Sequence, residues 1–257
     1  MTATYIDTWF KLLEDSCVDA AISSIDLIID QARNADFLLR SVLSVEPPLL
    51  WHPLFSGLAE EGDDDLMPLL VRVDLAQPLQ RFWLINLIEH YQNNLPLLLL
   101  ASRWPFETLA EHFGACAEAR HGNDLGLFRF YSARLLPQLL SHVLDPEQQQ
   151  LLLRPVVFWS WLDRDGAPQY LPGEDAAPAH PEAPGPIVLN DLQMAALRCA
   201  GEASQLVDNL PRTSNAEQRF QTCFAALLEA SQAGLLLKPE RAAFALARLH
   251  GQEKTDA

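Results

Sequence analysis

LLVRVDLAQPLQRFWLINLIEHYQNNLPLLLLASRWPFETLAEHFGACAEA, residues 69–119, carries the pattern that decides the fold. Leu69–Asp74 and Pro96–Ala101 are short apolar runs of strand length, whereas Pro78–Tyr91 and Pro105–Ala119 repeat apolar residues at helical spacing. Each helical stretch opens on a proline, which the first turn of a helix accepts because its N–H has no partner there. The reading is strand, helix, strand, helix. The alternation extends both ways. Upstream, Ser24–Asp30 reads as a strand and Asn34–Ser44 as a helix capped by Asn34; downstream, Leu125–Tyr131, Arg134–Val143 and Val156–Leu162 read as strand, helix and strand. Such alternation implies an α/β lobe in which a mixed sheet is flanked by helices.

Outside this block the pattern changes. Tyr5–Leu13 carries Ile6, Phe10 and Leu13 at spacings of a helix face and reads as an N-terminal helical arm. Residues 163–186, DRDGAPQYLPGEDAAPAHPEAPGP, are too rich in proline for a helix interior or a sheet centre, and read as a linker. Beyond it Asn190 caps a helix reaching Val207, Ser214 opens a second to Ala233, and Pro239 starts a third ending near His250. The expected organisation is therefore an α/β domain with its arm at 1–163, a proline-rich linker at 164–186 and a smaller all-helical lobe at 187–257. Three short helices have little core of their own, so they either pack on the first lobe or present a groove.

Bulk properties bound the function. A hydrophobic fraction of 49% marks a globular chain. The formal charge of −16, from 34 acidic and 18 basic side chains, repels phosphate backbones and anionic lipid, so neither nucleic acid nor membrane is an expected partner. The acidity serves solubility or a basic protein partner. MTATYIDTWFKLLEDSC is not a secretory signal, and the run Leu95–Ala101 is too short to span a bilayer, so the expectation is a cytoplasmic protein. Cys17, Cys116, Cys199 and Cys223 lack C-x-x-C spacing and read as reduced, buried thiols.

No local motif carries chemistry. His112, Cys116 and His121 are near in sequence, but structural zinc needs a fourth ligand, so no metal is expected. Ser56 in PLFSG lacks the G-x-S-x-G elbow, and the eleven glycines form no phosphate loop, so no cofactor is expected. The run Glu60–Asp65 lacks calcium-loop order and reads as a solvated loop. Alternation places Phe128 and Phe130 on one face and Arg129 and Tyr131 on the other, with Arg134 just beyond. Arg129 then faces either an internal acid or a partner. Trp159 and Trp161 share one sheet face, as core or as an aromatic anchor.

The stretch ASRWPFETLAEHFGACAEARHGNDLGLFRFYSARLLPQLL, residues 101–140, resembles the signature of bacterial type VI secretion effector adaptors, the chaperones of Tap or Tec type. Ser102, Leu109, His112, Phe128, Arg129, Phe130, Tyr131 and Arg134 fall on its positions in order. SIDLIIDQAR resembles the opening strand with its aspartate, here Asp30; PLFSG, LMPLLVRV and RPVVFWSWL resemble further blocks. Ser132 and Ala133 depart from the usual Asp-Pro, and Gly114 stands where a basic residue is common. The resemblance implies a non-catalytic cytoplasmic adaptor that binds the N-terminal region of an effector and the C-terminal end of the VgrG spike. Arg129, Tyr131, Arg134 and His112, which fall on its positions, together with Trp159 and Trp161 from their shared sheet face, are the candidate partner-binding residues. Two other readings stay open: a hydrolase or transferase with dispersed groups, such as His112 with Asp30, and an immunity protein that holds a toxin domain.

Overall fold

The computed structural model describes residues 2–31, 35–56, 67–90, 97–178, 184–211 and 215–255. In chain order the elements are α1 (Thr2–Asp19), β1 (Ser24–Ile29), α2 (Ala35–Leu43), β2 (Leu50–Pro53), β3 (Leu69–Asp74), α3 (Pro78–His90), β4 (Leu97–Ala101), α4 (Phe106–Cys116), β5 (Glu118–His121), β6 (Asp124–Leu127) and α5 (Leu136–Gln138). A π-helical turn (Leu139–Val143) follows, then α6 (Pro146–Leu153), β7 (Phe158–Leu162), β8 (Pro168–Pro172), β9 (Ile187–Val188), α7 (Asp191–Asp208), α8 (Ala216–Gln232) and α9 (Lys238–Thr255). The expected caps Asn34 and Ser214, the acidic run Glu60–Asp65, the ends at Tyr91 and Pro96, and residues 179–183 of the proline-rich stretch lie outside the described residues.

The α/β class is as the alternation implies. A six-stranded sheet of order β2-β3-β1-β4-β7-β8 is covered on both faces. Ile25, Leu27, Ile29, Val71, Val73 and Leu99 pack with α1, α2 and α3 on one side. Ile28, Leu70, Leu98, Leu100, Trp159 and Trp161 pack with α4, the π turn and α6 on the other. Burial on both faces explains why β4 reads LLLLA without alternation.

Every pairing in this sheet is antiparallel. The helix between β3 and β4 suggests a parallel crossover, but β1 inserts between them, so the two run the same way without touching. A parallel ladder occurs between β5 and β9, in a second sheet of order β6-β5-β9.

Several expectations change locally. The run Leu125–Tyr131 stops pairing after Phe128, whose N–H reaches the Ala117 carbonyl at 2.7 Å; Phe130 N–H then turns back to the Phe128 carbonyl at 2.8 Å. Residues 128–131 are therefore a turn, and strand alternation does not apply: Tyr131 is buried beside Phe128 and Phe130. The helix expected over Arg134–Val143 is α5, with Pro137 in its first turn, followed by the π turn, which Leu144 N–H closes on the Leu139 carbonyl at 2.8 Å. The N-terminal arm is a core helix, with Trp9 and Leu13 fully buried and the Trp9 indole N–H donating 2.8 Å to Ser160 Oγ on β7. Within the proline-rich stretch, residues 168–172 form β8.

The C-terminal helices form their own core from Cys199, Ala203, Phe220, Cys223, Phe224 and Leu227. They also pack on the first lobe: Ala196, Met194, Leu197 and Leu228 join the core on the α4 face. Asn190 caps α7 in a reciprocal box with Gln193, and Asp145 does the same for α6 with Gln148. The boxes are joined. Gln193 Nε2 donates to Gln148 Oε1 (2.6 Å) and to the Val143 carbonyl (2.8 Å), tying the lobes together.

Candidate functional site

Strand β1 turns Asp26 and Ile28 to the face that α4 covers, because alternate residues share a face, and Asp30 follows just past its end. Asp26 is fully buried and receives both arms of Arg72 on β3, at 2.7 and 2.8 Å. Arg72 also donates to the Trp104 carbonyl at 3.1 Å and lies 5.6 Å from the Phe106 ring centroid. Burial pushes the Asp26 carboxyl up, and the guanidinium beside it pulls it back. The pair fastens the sheet to the corner before α4. At the same corner the Ser102 hydroxyl donates to the Pro155 carbonyl at 2.5 Å and accepts from Trp104 N–H at 3.1 Å.

At the other end of β1, Asp30 forms an ion pair with Arg129. The Arg129 guanidinium stays about half exposed and lies 5.9 Å from the Tyr131 ring centroid. Tyr131 is wedged between Phe55 and Phe130, and burial raises its phenol to about 12. Next to Asp30 in the chain, Gln31, 2% exposed, donates to the Met67 carbonyl at 2.8 Å, while its Oε1 has no partner among the described residues. Arg134, on the turn past Tyr131, is half exposed and 3.6 Å from Asp208 at the end of α7. Asp30, Arg129 and Tyr131 thus form one cluster, with Arg134 beyond it on the same loop.

The other candidates sit elsewhere. His112 on α4 is 2.7 Å from the Leu151 carbonyl and edge-on to Trp104 at 5.1 Å. Burial lowers its pKa, so the ring is neutral near pH 7, and its Nε2 carries the hydrogen that the carbonyl accepts. His112 and Asp30 therefore have separate partners. Trp159 is fully buried and donates to the Leu152 carbonyl at 3.0 Å; Trp161 is 7% exposed. Both indoles share the α4 face of the sheet, as their spacing requires, and both belong to the core. His121 pairs with Asp191 at 2.8 Å, and Cys116 is buried, its thiol raised to about 12 by desolvation. Among the described residues no cluster of three His, Cys, Asp or Glu side chains is placed to hold a metal ion. No helix of the described residues is long and apolar enough to cross a membrane.

Sequence reasoning missed Asp26, Arg72, Gln193 and Arg164. The signal for the first two was a charge inside an apolar run, SIDLIID and LLVRVD, since a buried charge requires a partner. Arg164 had no signal beyond its place in the proline-rich stretch. It pairs with Glu217 at 2.9 Å and stacks on Phe220 at 3.4 Å from the ring centroid, while Asp165 accepts from the first N–H groups of α8.

No curated protein and no solved structure matches the chain. Residues 27–151, which run from β1 into α6 and contain Asp30, His112, Arg129, Tyr131 and Arg134, match the model of one family, described as a domain of unknown function, DUF4123.

Proposed function

We propose that this chain is a non-catalytic adaptor that holds a type VI secretion effector and helps load it onto the VgrG spike. The observation that carries the reading is the match over residues 27–151, the same block whose residues resemble the effector adaptors. Within it, Arg129 and Arg134 offer half-exposed guanidinium groups on one loop, suited to a carboxylate or carbonyl of a bound protein. Asp30 and Tyr131 set the position of the first.

Affinity capture of the tagged full-length chain from its native cytosol, followed by mass spectrometry, tests the proposal. The expected result is stoichiometric recovery of a spike protein together with a toxin held through its N-terminal region. Recovery of neither, where both are expressed, overturns it. Recovery of a toxin held through its catalytic domain, without the spike, replaces it with the immunity reading.

A further inference from the structure

The sheet edges of this molecule are treated unequally. In an antiparallel ladder, directly opposed residues alternate between exchanging hydrogen bonds and pointing their N–H and C=O groups away. Gly173 N–H bonds the Val157 carbonyl, so residues 168, 170 and 172 of β8 point outward, and two of these are proline. By the same count β2 turns out residues 51 and 53, because Leu54 N–H bonds the Pro68 carbonyl; Pro53 has no N–H. Each edge of the large sheet keeps one outward donor, Tyr170 or Trp51. Proline on an edge is a common barrier to further strand pairing.

Strand β6 has no such barrier. Phe128 N–H bonds the Ala117 carbonyl in the register Glu118↔Leu127, so Leu125 and Leu127 point their backbone groups away from β5. The bond from Leu189 N–H to the Arg120 carbonyl confirms the phase, since Arg120 opposes Leu125 and faces β9. Both outward residues are exposed leucines, at 52% and 37%. Val188, aligned with Leu125 through Arg120, is 64% exposed, and Leu192 at the start of α7 is 82% exposed. Among the described residues, a backbone edge without a further strand and exposed aliphatic side chains thus occur together.

We propose that β6 is a docking edge for an extended segment of a partner protein, added as a further strand and carrying aliphatic and basic side chains. The charge around the edge selects this occupant. Glu118, Asp124 and Asp191 outnumber Arg120, and His121 is engaged with Asp191. A second copy would bring the same acids and the same net charge of −16 against them, whereas a basic strand is attracted. Backbone hydrogen bonds supply the register, and the aliphatic side chains meet Leu125, Leu127 and Val188. The proposal deepens the adaptor reading and rests on it for its biological use.

The test uses the full chain and a synthetic peptide of about six alternating valines and lysines, a typical strand length, with a valine–glutamate peptide for comparison. The expected result is slowed hydrogen exchange at the Leu125 and Leu127 amides with the lysine peptide alone. Leu127→Pro removes one outward donor and none of the β5 ladder bonds; it should weaken binding about tenfold, with its melting measured alongside to show that the variant is folded. Leu125→Lys, at a side chain already half exposed, should weaken it as well. The proposal is overturned if no peptide binds, if binding leaves those amides unprotected, or if the glutamate peptide binds equally. Protection that rises with protein concentration alone assigns the edge to a second copy, and also overturns it. Cytosolic capture separates the two readings: spike and toxin retained equally by the wild type and Leu127→Pro would sink the docking edge and spare the adaptor. Peptide protection without any captured spike or toxin would do the reverse.

Discussion

Asp26 and Arg72 are a buried charge pair whose partners are 46 residues apart, and each is tolerable only because of the other. Arg72→Met should lower stability by about 3–5 kcal/mol in a denaturant titration, because it strands a fully buried carboxylate. Adding Asp26→Leu to that variant should recover most of the loss, since neither charge then remains to be desolvated. His112 makes a different prediction. Burial lowers its pKa from the ordinary 6.5, so the unfolded chain binds the proton before the folded chain does. The stability that comes from keeping this ring neutral is complete above the unfolded value and is lost as pH falls below it toward the folded value. His112→Gln keeps a donor for the Leu151 carbonyl but does not titrate. Its denaturation midpoint should therefore fall less than that of the wild type between about pH 7.5 and 5.5.

At the scale of elements, the joined capping boxes of α6 and α7 are the feature most open to measurement. Gln148 and Gln193 each close a box, and they also bond each other at 2.6 Å. A double-mutant cycle of Gln148→Ala and Gln193→Ala should show a coupling of about 0.5–3 kcal/mol; strictly additive losses would mean that the boxes act independently. The elements also show where sequence stops being informative. Apolar runs and helix-opening prolines located β1, β3, β4, β7 and the helices α2, α3 and α4, because burial on both faces leaves a local mark, whereas α6 had no expected counterpart. Strand β8 left none: its prolines read as a linker, and only its pairing with β7 shows that they occupy positions needing no N–H. Phe128–Tyr131 looked like a strand because aromatic residues suit strands, yet a turn buries the same rings. Asp30 and Arg129 were both legible as candidates, but that they meet depends on how this turn directs the guanidinium.

For the whole molecule, the two lobes share buried surface rather than a simple tether. Ala196 and Leu228 pack against the α/β core, and Arg164 lies between Glu217 and Phe220. Thermal unfolding should accordingly be one transition with equal calorimetric and van't Hoff enthalpies; two resolved transitions would show lobes that fold separately. The α/β class and the all-helical end were readable from periodicity. The antiparallel order was not, because β1 enters between β3 and β4, and periodicity does not record which strands are neighbours. One feature of this topology reaches back to synthesis. The Trp9 indole on α1 closes over Ser160 of β7, 151 residues later in the chain. At ordinary rates of translation roughly 8–30 s separate the two. Throughout that interval the nascent chain must carry Trp9, Phe10 and Leu13 on an amphipathic helix whose resting place has not yet been made.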